Sequence, residues 1–131
     1  MGAAYDVRVR AVRSNGVQGA WSQVDNTTIS GDTTAPSAPS GVAATAQAGA
    51  IKVEWTAPSD DDFRMARLFR NTTNNSGTAT AITDVYGFPG QPGTYTDTVA
   101  SGATRYYWLK AIDAPAGNLS GFSSGVNATA L

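Results

Sequence analysis

The sequence predicts an all-β protein. It reads as a two-sheet sandwich of seven strands over residues 39–131, preceded by a two-strand fragment of a second such module in residues 1–30 and a Pro-containing linker at 31–38. Two observations carry that prediction. Short apolar–polar alternations recur at regular spacing with Gly-, Asn- and Pro-rich turn signals between them, and no segment has a 3.6-residue apolar period. The chain also repeats itself at an offset of about 100 residues, the size of one sandwich domain. Setting Tyr5 on Arg105 brings Val7 onto Tyr107, Val9 onto Leu109 and Ala11 onto Ala111. With one extra residue in the second turn, Gly16 meets Gly117, Trp21 meets Phe122 and Thr28 meets Thr129.

Taken in order, residues 5–12 alternate strictly, with Tyr5, Val7, Val9 and Ala11 on one face. Ser14-Asn15-Gly16 is a turn, because Asn and Gly tolerate positive φ, and Trp21 to Ile29 reads as the return strand. Two strands bury too little to stand alone, so this fragment is expected to pack on the second module or to exchange with another chain. Pro36 and Pro39 stiffen the linker, since each fixes φ and biases its predecessor to extended backbone. Strands then follow at 41–47, 50–56, 65–71, 79–85, 94–99, 105–113 and 122–130. Ile51, Val53 and Trp55 face one way in the second of these, and Ala66 and Leu68 face inward in the third. Trp55, Leu68, Tyr107 and Leu109 read as core.

Composition limits function. A net charge of −1 supplies no field for nucleic acid or an anionic membrane, and no apolar run reaches the roughly 18 residues of a membrane helix. The first residues lack the basic-then-apolar pattern of a signal peptide. The chain has neither Cys nor His, which removes thiolate nucleophiles, disulfides and the commonest general base and metal ligand. No catalytic residue, cofactor or metal is expected. Asp60-Asp61-Asp62 is the one acidic run; consecutive residues of an extended chain cannot all face one ion, so a solvated loop is the better reading.

Several spaced motifs resemble the fibronectin type III family. They are Pro36 and Pro39 before the first full strand, Val53-x-Trp55-x-x-Pro58, and Gly2-x-x-Tyr5-x-Val7-x-Val9-x-Ala11. The resemblance covers about 36–131 as a complete domain and about 1–30 as the last two strands of the preceding one. A narrower likeness lies in Asp32-Thr-Thr-Ala-Pro-Ser-Ala-Pro, Pro58-Ser-Asp-Asp-Asp-Phe63, Phe69-Arg-Asn-Thr-Thr-Asn-Asn75, Tyr95-Thr-Asp-Thr98 and Tyr106-Tyr-Trp-Leu-Lys-Ala-Ile-Asp113. These runs resemble modules of the tail-tip attachment (host-specificity) proteins of lambda-like phages and prophages. The resemblance implies a non-catalytic module in a phage tail virion or an extracellular setting, whose partners are other modules of the same polypeptide, tail subunits or a host-surface receptor. Similar modules serve as spacers or carbohydrate binders in bacterial secreted glycosidases, which is the alternative. One departure stands out. The family's Tyr at the start of the sixth strand is Tyr5 in the first copy but Arg105 in the second, where Arg is left to donate to backbone carbonyls.

The candidate partner-binding residues are Tyr106, Trp108, Phe69 and Arg67. Tyr106 and Trp108 fall on the outward face of their strand, where the first copy has Asp6 and Arg8, and Phe69 lies across the pair. An aromatic stripe on an open sheet face stacks on sugars or buries against a partner, with Arg67, Arg70 and Lys110 alongside. The loop from Tyr86 to Gly93 and the turn from Ala114 to Gly121 are further contact candidates.

Overall fold

The computed structural model describes residues 32–131 in full, together with the backbone of two short strands, β1 (Arg8–Val9) and β2 (Ser22–Gln23). These two pair antiparallel, Arg8 opposite Gln23 and Val9 opposite Ser22. The side-chain readings of Tyr5, Val7, Val9 and Trp21, and the expected packing or exchange of residues 1–30, fall outside the described residues.

Seven strands follow: β3 (Ser40–Gln47), β4 (Ala50–Thr56), β5 (Phe63–Asn71), β6 (Thr80–Tyr86), β7 (Pro92–Thr98), β8 (Thr104–Asp113) and β9 (Val126–Thr129). They form two antiparallel sheets, β3-β4-β7 and β6-β5-β8-β9. The bounds agree with the sequence reading to within two residues, except at β9. A single 3-10 turn, Ser76–Thr78, lies between β5 and β6, held where the Asn75 carboxamide accepts from the Gly77 amide at 2.9 Å.

Alternation sets the inward faces. Ile51, Val53 and Trp55 of β4 meet Ala66 and Leu68 of β5 and Tyr107, Leu109 and Ala111 of β8, all buried. Each large apolar chain so buried contributes about 1.5–3 kcal/mol. Trp55, Leu68, Tyr107 and Leu109 are therefore core, as read from the sequence. The register places Leu68 opposite Leu109 and Phe69 opposite Trp108, so adjacent cross-strand pairs alternate between core and outer face.

The sandwich has two ends. The β4–β5, β6–β7 and β8–β9 connections share one end with residues 32–39; the β3–β4 turn, the start of β8 and Leu131 share the other. Pro36 and Pro39 are both buried, so the linker segment lies against the domain.

Inside the sandwich sits a polar bridge. Arg70 Nη1 donates to both oxygens of Asp97 at 3.0 Å, and the Tyr107 hydroxyl donates to Asp97 Oδ2 at 2.8 Å. Asp97 belongs to one sheet and its two donors to the other. Arg70 shares the inward parity of Ala66 and Leu68, which corrects its expected place beside Lys110 on the outer face. Burial, then the hydrogen bond to Asp97, push the Tyr107 hydroxyl well above the ordinary tyrosine range.

Candidate functional site

The four residues expected to form a partner surface do come together on the outer face of β5 and β8. Tyr106 and Trp108 stack with ring centroids 6.4 Å apart and 20° between planes. Phe69 lies opposite Trp108, and Arg67 opposite Lys110. The stripe is not open, however. Trp108 is only 5% exposed, because the connection between β8 and β9 folds back over it. The Phe122 ring meets Phe69 edge-on at 5.0 Å, and Lys110 Nζ stands 4.3 Å from the Phe122 centroid. A Cβ placed on Gly125 would collide with the Trp108 indole, so a bare backbone caps that ring. Arg67 is committed too, its guanidinium donating to both carboxylate oxygens of Asp84 at 2.8 and 3.0 Å. The expectation of an exposed Trp108 is thus corrected: the cover is the chain's own loop, and Tyr106 is half-buried at the rim.

The same fold-back shortens the last strand. The Leu109 amide donates to Ser123 Oγ at 2.9 Å and the Ala111 amide to Ser120 Oγ at 2.8 Å. Hydroxyls stand where ladder carbonyls would, so regular pairing begins only at Val126, not at residue 122. Small residues at Gly121, Ser123, Ser124 and Gly125 were the signal, since Gly within a strand marks close backbone approach. At the opposite end of β8, Arg105 Nη1 donates to the Thr104 carbonyl at 2.8 Å, the backbone role expected of it.

A second assembly, which sequence reasoning missed, holds residues 32–37 against the strand-connection end. Asn118 Nδ2 donates to the Asp32 carbonyl at 2.9 Å and to the Thr34 carbonyl at 3.4 Å. The Ser37 amide donates to Asp60 Oδ2 at 3.1 Å, and the Thr34 amide to Asp32 Oδ1 at 2.9 Å. Asn118 is itself fixed, its amide and Nδ2 donating to the two oxygens of Asp113 at 2.6 and 3.0 Å. Asp60 therefore has a structural partner within the acidic loop, and only Asp62 of that loop joins a carboxylate cluster.

That cluster is Asp32, Asp62 and Asp113, whose oxygens lie within 4.8 Å of one another. A side-chain hydrogen bond with Asp32, then burial, hold Asp62 above the usual carboxylate pKa, so Asp62 retains its proton more readily than an isolated acid. Burial alone would raise Asp113, but hydrogen bonds from the Asn118 side chain and backbone outweigh it and leave the group below its ordinary value. One oxygen from each residue supplies three ligands, short of the six to eight that calcium takes. What the cluster does is fasten: it ties the linker, the β4–β5 loop and the end of β8 into one polar knot.

Beside that end, the last residue of β6, Tyr86, and Phe88 of the β6–β7 loop are 67% and 76% exposed. They border a hollow of about 450 Å³ shared with Asp61 and Arg64.

Solved structures resemble the sandwich. An Fn3-like protein from Clostridium thermocellum aligns with a TM-score of 0.57 at 23% identity, covering 75% of this chain and 96% of that one. The fibronectin type III domain of human fibronectin type III domain containing protein 3 aligns at 0.55 and 17% identity, covering 77% and 91%. This chain has a fibronectin type III-like fold. A β-1,2-glucanase from Parabacteroides distasonis also aligns, with a TM-score of 0.58 at 19% identity; there 99% of this chain corresponds to 26% of the other. No family model matches the sequence, and no curated protein matches it.

Proposed function

We propose that this fibronectin type III-like chain is a non-catalytic module that spaces and orients neighbouring domains. The observation that supports this reading is the fastened linker. Residues 32–37 make four hydrogen bonds to the sandwich or within the turn, two of them through Asn118, and both linker prolines are buried. A chain so held leaves the domain in a set direction. The longest strand, β8, has 10 residues; at about 3.3 Å each, the module offsets what lies beyond its two ends by roughly 33 Å. The finer setting we infer is a phage or prophage tail-tip attachment protein, on the strength of the sequence likeness in 32–39, 58–63, 69–75, 95–98 and 106–113.

NMR relaxation of backbone amides in the full chain tests the spacer reading. Order parameters near 0.85 at residues 32–38 are expected, as for the strands; values below about 0.6 would refute a fastened linker. The setting is tested separately, by locating the protein in purified tail particles with a specific antibody. The second reading is an accessory module of a secreted carbohydrate-active enzyme. It is favoured by the exposed Tyr86 and Phe88 beside a hollow, and tested by whether the parent polypeptide carries a glycosidase domain.

A further inference from the structure

The hollow between the β4–β5 and β6–β7 loops is the one place among the described residues where two large aromatic rings stand open together. Tyr86 and Phe88 are 67% and 76% exposed, whereas Trp55, Tyr107 and Trp108 are buried. Single exposed apolar residues are ordinary, but a pair of rings flanking a 450 Å³ hollow is a contact feature. The loop that carries them is held in place. The Gly87 amide donates to the Arg64 carbonyl at 3.1 Å, the Gly90 amide to the Pro58 carbonyl at 2.9 Å, and the Gln91 amide to the Phe88 carbonyl at 3.2 Å. The Arg64 guanidinium lies 5.5 Å over the Tyr86 ring, which orients both. Such a platform is set before a ligand arrives, so little ordering cost falls on binding.

The polar lining selects the ligand. Arg64 brings one positive charge and Asp61 one negative charge, so the hollow carries no net charge and favours a neutral molecule. Neither side chain has an ion-pair partner among the described residues. Asp61 needs donors and Arg64 needs acceptors. A neutral sugar supplies both from its hydroxyls and offers a flat C–H face to Tyr86 and Phe88. A proline-rich peptide would cover the rings but bring few donors to the exposed Asp61 carboxylate. We propose that this hollow binds a neutral oligosaccharide, its pyranose rings stacked on Tyr86 and Phe88 and its hydroxyls bonded to Asp61 and Arg64. The assignment deepens the carbohydrate-associated reading above, and it holds whichever polypeptide the module serves. The site is open on one side, so affinity is modest, with a dissociation constant on the order of 0.1–1 mM.

The test is an amide-shift NMR titration of the full chain with cellohexaose, laminarihexaose, maltohexaose, mannohexaose and xylohexaose. Saturable shifts at residues 61–64 and 86–91 with at least one of them are expected. Phe88→Ala and Tyr86→Ala, both at exposed positions and each checked by its unperturbed core amides, should weaken that binding about 10-fold. Absence of shifts there with all five sugars at about 10 mM overturns the proposal, as does binding that survives in both variants. Preference for an oligogalacturonate that Arg64→Gln abolishes would point to an acidic ligand, and preference for a proline-rich peptide to a protein partner; either result also overturns it. None of these failures touches the spacer reading, which stands or falls on the order parameters at 32–38.

Discussion

Replacing Asp97 by alanine removes the acceptor that joins the two sheets. Asp97 is 6% exposed and accepts three hydrogen bonds, two from Arg70 Nη1 and one from the Tyr107 hydroxyl. The two donors then fare differently. The Tyr107 side chain is fully buried, so its hydroxyl loses its partner with no water to replace it, which costs about 1–3 kcal/mol. The Arg70 side chain is 36% exposed and can turn to solvent, which spares most of the penalty of stranding a buried charge. The sum is about 3 kcal/mol, at the low end of the 3–5 kcal/mol typical for breaking a buried pair. For a sandwich of this size that lowers Tm by roughly 12–24 °C. Urea unfolding followed by tryptophan fluorescence measures it. Tyr107→Phe alone leaves Asp97 paired with Arg70 and should cost about 1.5–3 kcal/mol, the value of a hydrogen bond to a charged group. Once Asp97 is gone, Tyr107→Phe should cost nothing or stabilise, so the double-mutant cycle is expected to couple by at least about 1.5 kcal/mol. Additive effects, or an Asp97→Ala cost below about 1 kcal/mol, would refute the view that this triad holds the sheets together.

Other perturbations have equally definite outcomes. Gly93 lies opposite Trp55, and a Cβ there would collide with the indole; Gly93→Ala should cost about 1–3 kcal/mol and shift tryptophan emission, read by thermal melts and fluorescence. Asn118→Ala removes the bonds to the Asp32 and Thr34 carbonyls and should speed hydrogen exchange at Thr34 and Ser37 while leaving the β5 and β8 amides protected. The cluster at that end gives a signed pH dependence. Asp62, raised from 3.8, adds stability at low pH that is lost as pH climbs through its folded value. Asp113, lowered from 3.8, adds stability above that pH that is lost as pH falls through its folded value. Asp62→Asn keeps a donor for Asp32 without the charge, so its urea midpoint should gain on the unsubstituted chain between pH 4 and pH 7; an unchanged difference would show that Asp62 does not hold its proton.

The core was legible because parity is a strong signal. Ile51-x-Val53-x-Trp55 and Tyr107-x-Leu109-x-Ala111 alternate cleanly, and every one of those residues is buried. Parity also placed Tyr106, Trp108 and Phe69 together on one face, but it says nothing about what covers a face. That cover comes from Phe122 and Gly125, whose reach over the strand depends on Ser120 and Ser123 taking up ladder amides. Arg70 departs from the outer-face expectation because the register makes it an inward residue with an acid waiting on the other sheet. The linker knot was out of reach for a different reason. Asn118 and Asp32 are 86 residues apart, and no local pattern announces a contact of that span.

The two ends of the described chain leave by opposite poles. Residues 32–39 run along the strand-connection end, while the Leu131 amide donates to the Gln47 carbonyl and its carbonyl accepts from the Gly49 amide, both at 2.9 Å, at the far end. A pull between neighbours would therefore drag β3 toward one pole and β9 toward the other. β3 is paired along its length with β4 and β9 with β8, so the load acts in shear along those two ladders, whose hydrogen bonds must yield together instead of opening one at a time. Survival under load is then set by the unfolding rate of the whole sandwich. The Arg70–Asp97–Tyr107 bridge, which crosses between the sheets, becomes a brake on extension as well as a contribution to stability at rest.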